Sequence, residues 1–365
     1  MKFYKALSFI FVLLSVNSAS ACTTLIIKDK QGAVYQGRTM EFVDFPFYVS
    51  YFPKLTKFIS KAPHGKIGLE FIAKYSFIGI TGKITNSKHI FVTDGVNSVG
   101  LTFSLNALNN SKLPEITQQK ILDVSDLGSW ILSQFSTSSE VRFALETQQL
   151  GVVFDTTFPF HIAVFDRFGK GIVIEYIDGK QIIYDNPVGV LTNGPDFNWH
   201  LTNLNNYASL SNVGNSRATI NGYHIKSVDA GGNLLGLPSD DMSPSRFVRA
   251  AFYANYAEKP DKENAIAVLG KIMNKFDRIR GITADKDKEG GGEFDNFPEE
   301  LFGNISKNKS ITSELVLWTS LTDLNNNIYY IRPANSLNYY KFDLNTISKK
   351  KHSFSFLVGK LPAIL

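Results

Sequence analysis

The 365-residue sequence contains a single cysteine, Cys22, and therefore no intramolecular disulfide. Its six histidines show no metal-ligand spacing, and neither H-E-x-x-H nor G-x-S-x-G occurs. The usual signatures of zinc proteases and serine hydrolases are thus missing. Beyond residue 16 no run approaches the roughly 20 apolar residues that a spanning helix needs, so no stable membrane span is expected. Basic residues are scattered apart from Lys349, Lys350 and Lys351, a run better read as a solvated loop than as a nucleic-acid site. Residues 285–296 have the flavour of a calcium loop, but Asn296 stands where the closing Glu belongs and the flanks do not read as paired helices. No metal is expected there. No linker, repeat or low-complexity stretch divides the chain, which reads as one domain from 22 to 365.

What the sequence does have begins at its N-terminus. Lys2 and Lys5 precede an apolar run over residues 6–16, too short to span a bilayer. Ala19 and Ala21 then form an A-x-A cleavage site. Residues 1–21 are expected to be a cleaved signal peptide, leaving an exported protein, periplasmic or extracellular, that starts at Cys22. An unpaired cysteine in an exported chain has three readings. It can be a small buried hydrophobe. It can carry lipid, as in lipoproteins, although Ala19 stands where the usual Leu would be. It can be an N-terminal nucleophile whose own α-amino group serves as base.

The next residues favour the third reading. Residues 23–27 are β-branched and apolar, residues 29–32 carry turn chemistry, and residues 33–37 return as a second strand. Such a hairpin brings Arg38 beside the chain start, with Glu41 three residues on. A cation near the thiol favours thiolate, and a carboxylate suits the amine. Further strands are expected at 76–80, 90–93, 99–105, 160–166, 171–177, 181–185 and 188–192. Helices are expected at 119–134, 138–149, 244–257 and 262–276, the last carrying the stripe Ile266, Leu269, Met273 and Phe276. Strand runs separated by helix runs point to sheets between helical layers. The composition, 44% hydrophobic and 19% charged with net charge +5, is that of an ordinary soluble globular protein. Its 29 Phe and 15 Tyr belong mostly in the core.

The opening CTTLIIKDKQGAVYQGRTMEF resembles the choloylglycine hydrolase family, the conjugated bile acid hydrolases and penicillin V acylases among the N-terminal nucleophile hydrolases. Four later segments match the family in order: DGVNSVGLTFSLN at 94–106, YDNPVGVLTN at 184–193 with its NWHLTNLNNY extension, GLPSDDMSPSRFVRAAF at 236–252, and WTSLTDLNNNIYYIR at 318–332. The resemblance implies an α+β fold, the four-layer αββα sandwich. It makes Cys22 the nucleophile and Arg38 the arginine beside it. Glu41 falls where many members have Asp. Asn193 matches the oxyanion-hole asparagine and Arg246 a second active-site arginine. Asn106 matches a position that is Asn in many bile salt hydrolases and Tyr in many penicillin acylases. Read without that context, Asn193 is a turn residue in Thr-Asn-Gly-Pro and Arg246 an exposed helix arginine. His161 and His200 read as structural.

The implied reaction is attack of Cys22 on a linear amide, giving a thioester that water hydrolyses, with no cofactor. The partner is a small-molecule amide with an apolar acyl group: a glycine or taurine conjugate of a bile acid, penicillin V, or an N-acyl homoserine lactone. The aromatic segment 42–52 could line the acyl pocket. Nucleic acid is not a partner, and a homo-oligomer, tetramer or dimer, is compatible with the family. The alternative from another class is an exported lipoprotein or binding module with Cys22 lipid-modified.

Overall fold

The computed structural model describes residues 21–42, 44–83, 90–148, 150–153, 159–286, 311–349 and 352–361. The apolar N-terminal run, most of the calcium-like stretch and two of the three consecutive lysines lie outside the described residues.

Cys22–Lys28 (β1) and Val34–Phe42 (β2) form the expected hairpin, with Cys22 opposite Met40 and Thr24 opposite Arg38. Asp29 makes the turn: its Oδ1 accepts from the backbone of Gln31 and Ala33, and its Oδ2 from the Tyr35 hydroxyl. Gly32 supplies the left-handed residue, φ 87°. Neither strand lies at an edge. Val190–Leu191 pairs with the outer side of β1, and Leu315–Asp323 with the outer side of β2. Ile328–Pro333 and Tyr340–Asp343 complete a six-stranded sheet. All of β2 and most of β1 is buried, because both sheet faces are covered; apolar and polar residues therefore do not alternate cleanly.

The second sheet has eight antiparallel strands, from Lys180–Asp185 at one edge to Phe354–Leu357 at the other. Its middle strands include Ile90–Asn97, Thr102–Ala107 and Phe160–Phe165. Apolar side chains of both sheets interdigitate, Met40, Trp318, Tyr329 and Ile331 against Val49, Tyr51, Ile78 and Val96. Val124–Gln134 (α1) and Ser138–Thr147 (α2) cover the outer face of this sheet. Phe197–Asn203 (α3) is a short helix beside the loop after Leu191. Ser243–Tyr256 (α4) and Ala265–Met273 (α5) cover the six-stranded sheet. The order helix, sheet, sheet, helix is the four-layer sandwich implied by the resemblance.

Several expected boundaries move, each for a local reason. The helix expected from 119 starts at Val124, because Lys120–Asp123 is a strand parallel to Leu150–Val153 and the Asp123 carboxylate caps α1 by accepting from Ser125 N–H. α2 has the reciprocal Thr137–Glu140 capping box. The expected 262–276 helix is α5 with a single 3-10 turn at either end; Leu269, Met273 and Phe276 are buried and Ile266 partly so. α5 packs on β2 at Gly37, where an added Cβ would fall 2.6 Å from the Met273 side chain. The aromatic segment 42–52 lines core more than pocket: Phe42, Phe47, Val49, Tyr51 and Phe52 are buried, and Tyr48–Phe52 is a strand. A hairpin missed by the pattern, Arg217–Ile220 with Tyr223–Lys226, turns at Asn221-Gly222 and is exposed throughout.

Candidate active site around Cys22

Cys22 sits at the start of β1, 2% exposed, and is still joined to Ala21 in this structure. Its amide nitrogen therefore stands in for the α-amine of a chain beginning at Cys22. That nitrogen donates to Asn193 Oδ1 at 2.6 Å. The sulfur lies 3.7 Å from Arg38 Nη2 and 3.6 Å from Met40 Sδ. The Ala21 carbonyl accepts from Glu41 N–H at 2.9 Å.

Arg38 is fully buried between the sheets. Its guanidinium donates to the carbonyls of Thr93 and Leu105, lies against the Trp318 ring and faces Asp94 at 3.6 Å. Arg246, expected on the surface when read alone, is 1% exposed. α4 aims it at the chain start. Nη1 donates to the Cys22 carbonyl (2.7 Å) and Thr23 Oγ1 (2.8 Å), Nη2 to Asn193 Oδ1 (2.9 Å), and Nε to the Asp241 carbonyl (2.9 Å). Burial pushes it down to about 10, so it stays charged at neutral pH. Glu41 is completely buried 3.9 Å from Arg246 Nη1. Burial raises its carboxyl above the usual range, with Arg246 and then Arg278 pulling it back.

Asn193 faces Cys22 with its oxygen. Oδ1 receives two donors, the Cys22 nitrogen and Arg246, while Nδ2 donates to the Ala107 carbonyl at 3.0 Å. These partners settle which end is oxygen. The amide donor expected to meet an oxyanion is thus engaged elsewhere in this state. Asn106 is likewise engaged, its Nδ2 donating to the Thr192 carbonyl at 2.7 Å. Both asparagines hold the turn that carries Asn193.

The histidines support that turn. His161 Nε2 faces the Thr192 carbonyl at 3.0 Å and Nδ1 faces Glu175 at 2.9 Å. His200 Nε2 meets the Asn193 carbonyl at 2.8 Å. A carbonyl only accepts, so His200 carries its proton on Nε2; burial pushes its pKa down to about 4 and keeps it neutral. Ser243 completes the clamp, accepting from Asn193 N–H and bonding Thr192 Oγ1.

The electrostatic balance differs from the simple expectation. Burial pushes the Cys22 thiol above its ordinary range, and Arg38, the strongest opposing influence, does not reverse it. At neutral pH the thiol in this state is protonated, and a base must take its proton.

Residues missed as functional include Asp94, Trp318, Ser243 and the ion pair Arg278–Glu314, whose arginine also holds the Asp241 carbonyl. Asp94 and Trp318 lie inside the quoted motifs; Arg278 has no sequence signal. A cavity of about 260 Å³ lined by Lys28, Asn186, Gly189, Asn255 and Lys259 lies at the opposite end of β1 from Cys22 and has no part in this geometry. Among the described residues no group of three or more His, Cys, Asp or Glu converges to hold a metal.

A family profile described as linear amide C-N hydrolases, choloylglycine hydrolase family, matches residues 22–291. A bile salt hydrolase/transferase of Clostridium perfringens is 27% identical over 336 residues, 89% of this chain and 92% of the relative. A penicillin V acylase of Pectobacterium atrosepticum is 28% identical over 280 residues, 73% of this chain and 68% of the relative. Among solved structures, a variant of the conjugated bile acid hydrolase of Clostridium perfringens superposes with TM-score 0.75 at 24% identity, covering 94% of this chain and 98% of its own. Penicillin V acylase of Agrobacterium tumefaciens gives TM-score 0.70 at 21% identity, covering 92% and 90%. These two likenesses establish the shared fold.

Proposed function

The chain belongs to the choloylglycine hydrolase family, whose members hydrolyse linear carbon–nitrogen amide bonds, and on that premise we propose that Cys22, freed at the N-terminus, is its nucleophile. The observation that carries this reading is the pairing at one residue: a sulfur against Arg38 and a nitrogen 2.6 Å from Asn193 Oδ1.

The α-amine takes the thiol proton as Sγ forms its bond to the amide carbon. The charge of Arg246, close to the amine through Asn193, disfavours a second positive charge and so keeps the amine unprotonated, free to take the proton. Arg38 stabilises the sulfur as negative charge builds on it. The carbon–nitrogen bond breaks, the leaving amine carries off the proton, and a thioester remains. Water adds to the thioester carbon and gives a proton to the α-amine, the carbon–sulfur bond breaks, the acid leaves, and the sulfur takes the proton back from the amine. An oxyanion role for Asn193 requires its Nδ2 to exchange the Ala107 carbonyl for the substrate oxygen. Arg246 acts on the enzyme itself, holding residue 22 where a free chain end would fray.

The substrate in this reading is a small amine joined to an apolar acyl group, of the bile-salt or penicillin V type. Of the aromatic segment, Phe45 and Tyr48 are half-buried, and Phe45 packs on the cluster that contains Cys22. Lipid modification of Cys22 is the competing reading, and a sulfur carrying a thioether-linked lipid has no thiol with which to attack an amide.

The test uses the exported protein. Intact mass and N-terminal sequencing are expected to give a chain starting at Cys22 with a free amine. That material is expected to release amine from at least one member of a panel of glycine and taurine conjugates, penicillin V and acyl homoserine lactones. A mature start elsewhere, or a lipid mass on Cys22, would sink the proposal.

A further inference from the structure

The segment that begins Asp94-Gly95 has no part in the reaction as described, yet its carboxylate lies directly behind Arg38. Asp94 is 1% exposed and projects from the eight-stranded sheet towards the six-stranded one. Oδ1 accepts from Ser104 Oγ at 2.8 Å and stands 3.6 Å from Arg38 Nη1. Oδ2 accepts from Ser320 Oγ and from the Tyr329 hydroxyl, both at 2.7 Å. Gln36 Nε2 fixes Ser104 in turn at 2.8 Å. Burial, and next the charge of Asp94, hold the Tyr329 hydroxyl well above its ordinary range, so it remains a neutral donor. Three hydroxyl donors hold this carboxylate in place, with the guanidinium at ion-pair distance.

We propose that Asp94 is the fixed counter-ion that sets how strongly Arg38 acts on the Cys22 sulfur. The proposal rests on the reading of Cys22 as nucleophile. The charged groups facing Cys22 are Arg38 and Glu41 from β2 and Arg246 from α4. Among the described residues Asp94 is the carboxylate paired with Arg38, and it approaches from the other sheet. Arg38 is otherwise held by neutral carbonyls and the Trp318 ring, so its placement does not depend on Asp94 alone. Asp94 is a positioning residue of an electrostatic kind: it cancels part of the arginine's field without touching substrate.

The signs make this testable in mature protein starting at Cys22. Thiolate is followed by its ultraviolet absorbance against pH, and by the rate of alkylation with iodoacetamide read by mass spectrometry. With one cysteine in the chain the alkylation signal has one source, and the absorbance is read as the difference from Cys22→Ala, because the 15 tyrosines absorb in the same region when ionised. Arg38→Met is expected to move the midpoint up by roughly 1–3 units, and Asp94→Asn to move it down by about one unit. The double variant Arg38→Met/Asp94→Asn is expected to fall between Arg38→Met and the unaltered protein. An Asp94→Asn midpoint that is unchanged or higher would overturn the proposal, since a merely structural aspartate leaves the titration alone. So would a double variant that coincides with Arg38→Met. Should Asp94→Asn fail to fold, the double variant decides, because removing both members of a buried pair is tolerated better than removing one. Thiol titration needs no turnover, so retained activity in a Cys22→Ala variant would sink the nucleophile reading while leaving this result intact.

Discussion

Cys22→Ala is expected to yield a folded protein with no detectable amide hydrolysis. The substitution takes away the only thiol in the chain and with it the covalent route. It leaves the clamp on residue 22 in place, because that clamp acts on backbone: Asn193 takes the nitrogen and Arg246 the carbonyl. The side-chain loss is one sulfur in contact with Met40 and Arg38, on the order of 1 kcal/mol. Cys22→Ser is expected to leave at most a trace, since a hydroxyl is far harder to deprotonate than a thiol. The measurement is turnover with the best substrate of the panel, alongside circular dichroism and thermal denaturation. An Ala variant with full activity would rule out covalent catalysis at Cys22.

Asn193→Ala is expected to lower kcat by about 100-fold or more, with a smaller change in KM, because misplacing a reacting group by an ångström costs on this scale. Asn193 Oδ1 holds the atom proposed as the general base, and it also holds Arg246. Its loss frees the nitrogen to turn away from the sulfur. It also strands two buried groups, Arg246 Nη2 and the Ala107 carbonyl, which should lower stability by about 1–3 kcal/mol. Steady-state kinetics and thermal denaturation together check this. An unchanged kcat with the stability loss alone would show that Asn193 serves the fold and not the amine.

Much of this was legible in the residues. β-branched strands around an Asp-containing turn dictate a hairpin, and the hairpin's register sets Arg38 beside the chain start. The helical stripe around Leu269 and Met273 was readable because one face of α5 meets the sheet. What could not be read depends on partners distant in sequence. Arg246 looks exposed on its own helix, and only the approach of β1 buries it. Lys120–Asp123 reads as helix until Leu150–Val153 pairs with it. Asp94 meets its four partners from four other strands, none of them signalled by spacing. The direction of the Asn193 carboxamide is decided by its neighbours and not by its residue type.

The pairing around β2 has a consequence for when this protein can exist as an enzyme. Tyr35 lies opposite Asp323 and Arg38 opposite Ser320, so the strand carrying Arg38 is completed by Leu315–Asp323, far downstream of it. The other edge of the hairpin waits for Val190–Leu191. Contacts this distant give a high contact order, and folding is correspondingly slow. Until its partner strand has been made each edge of the hairpin is open, and open edges invite pairing with other chains. The proposed site is therefore completed late: a nascent chain that stops before Leu315 has every residue proposed here for catalysis, but not the strand that closes β2.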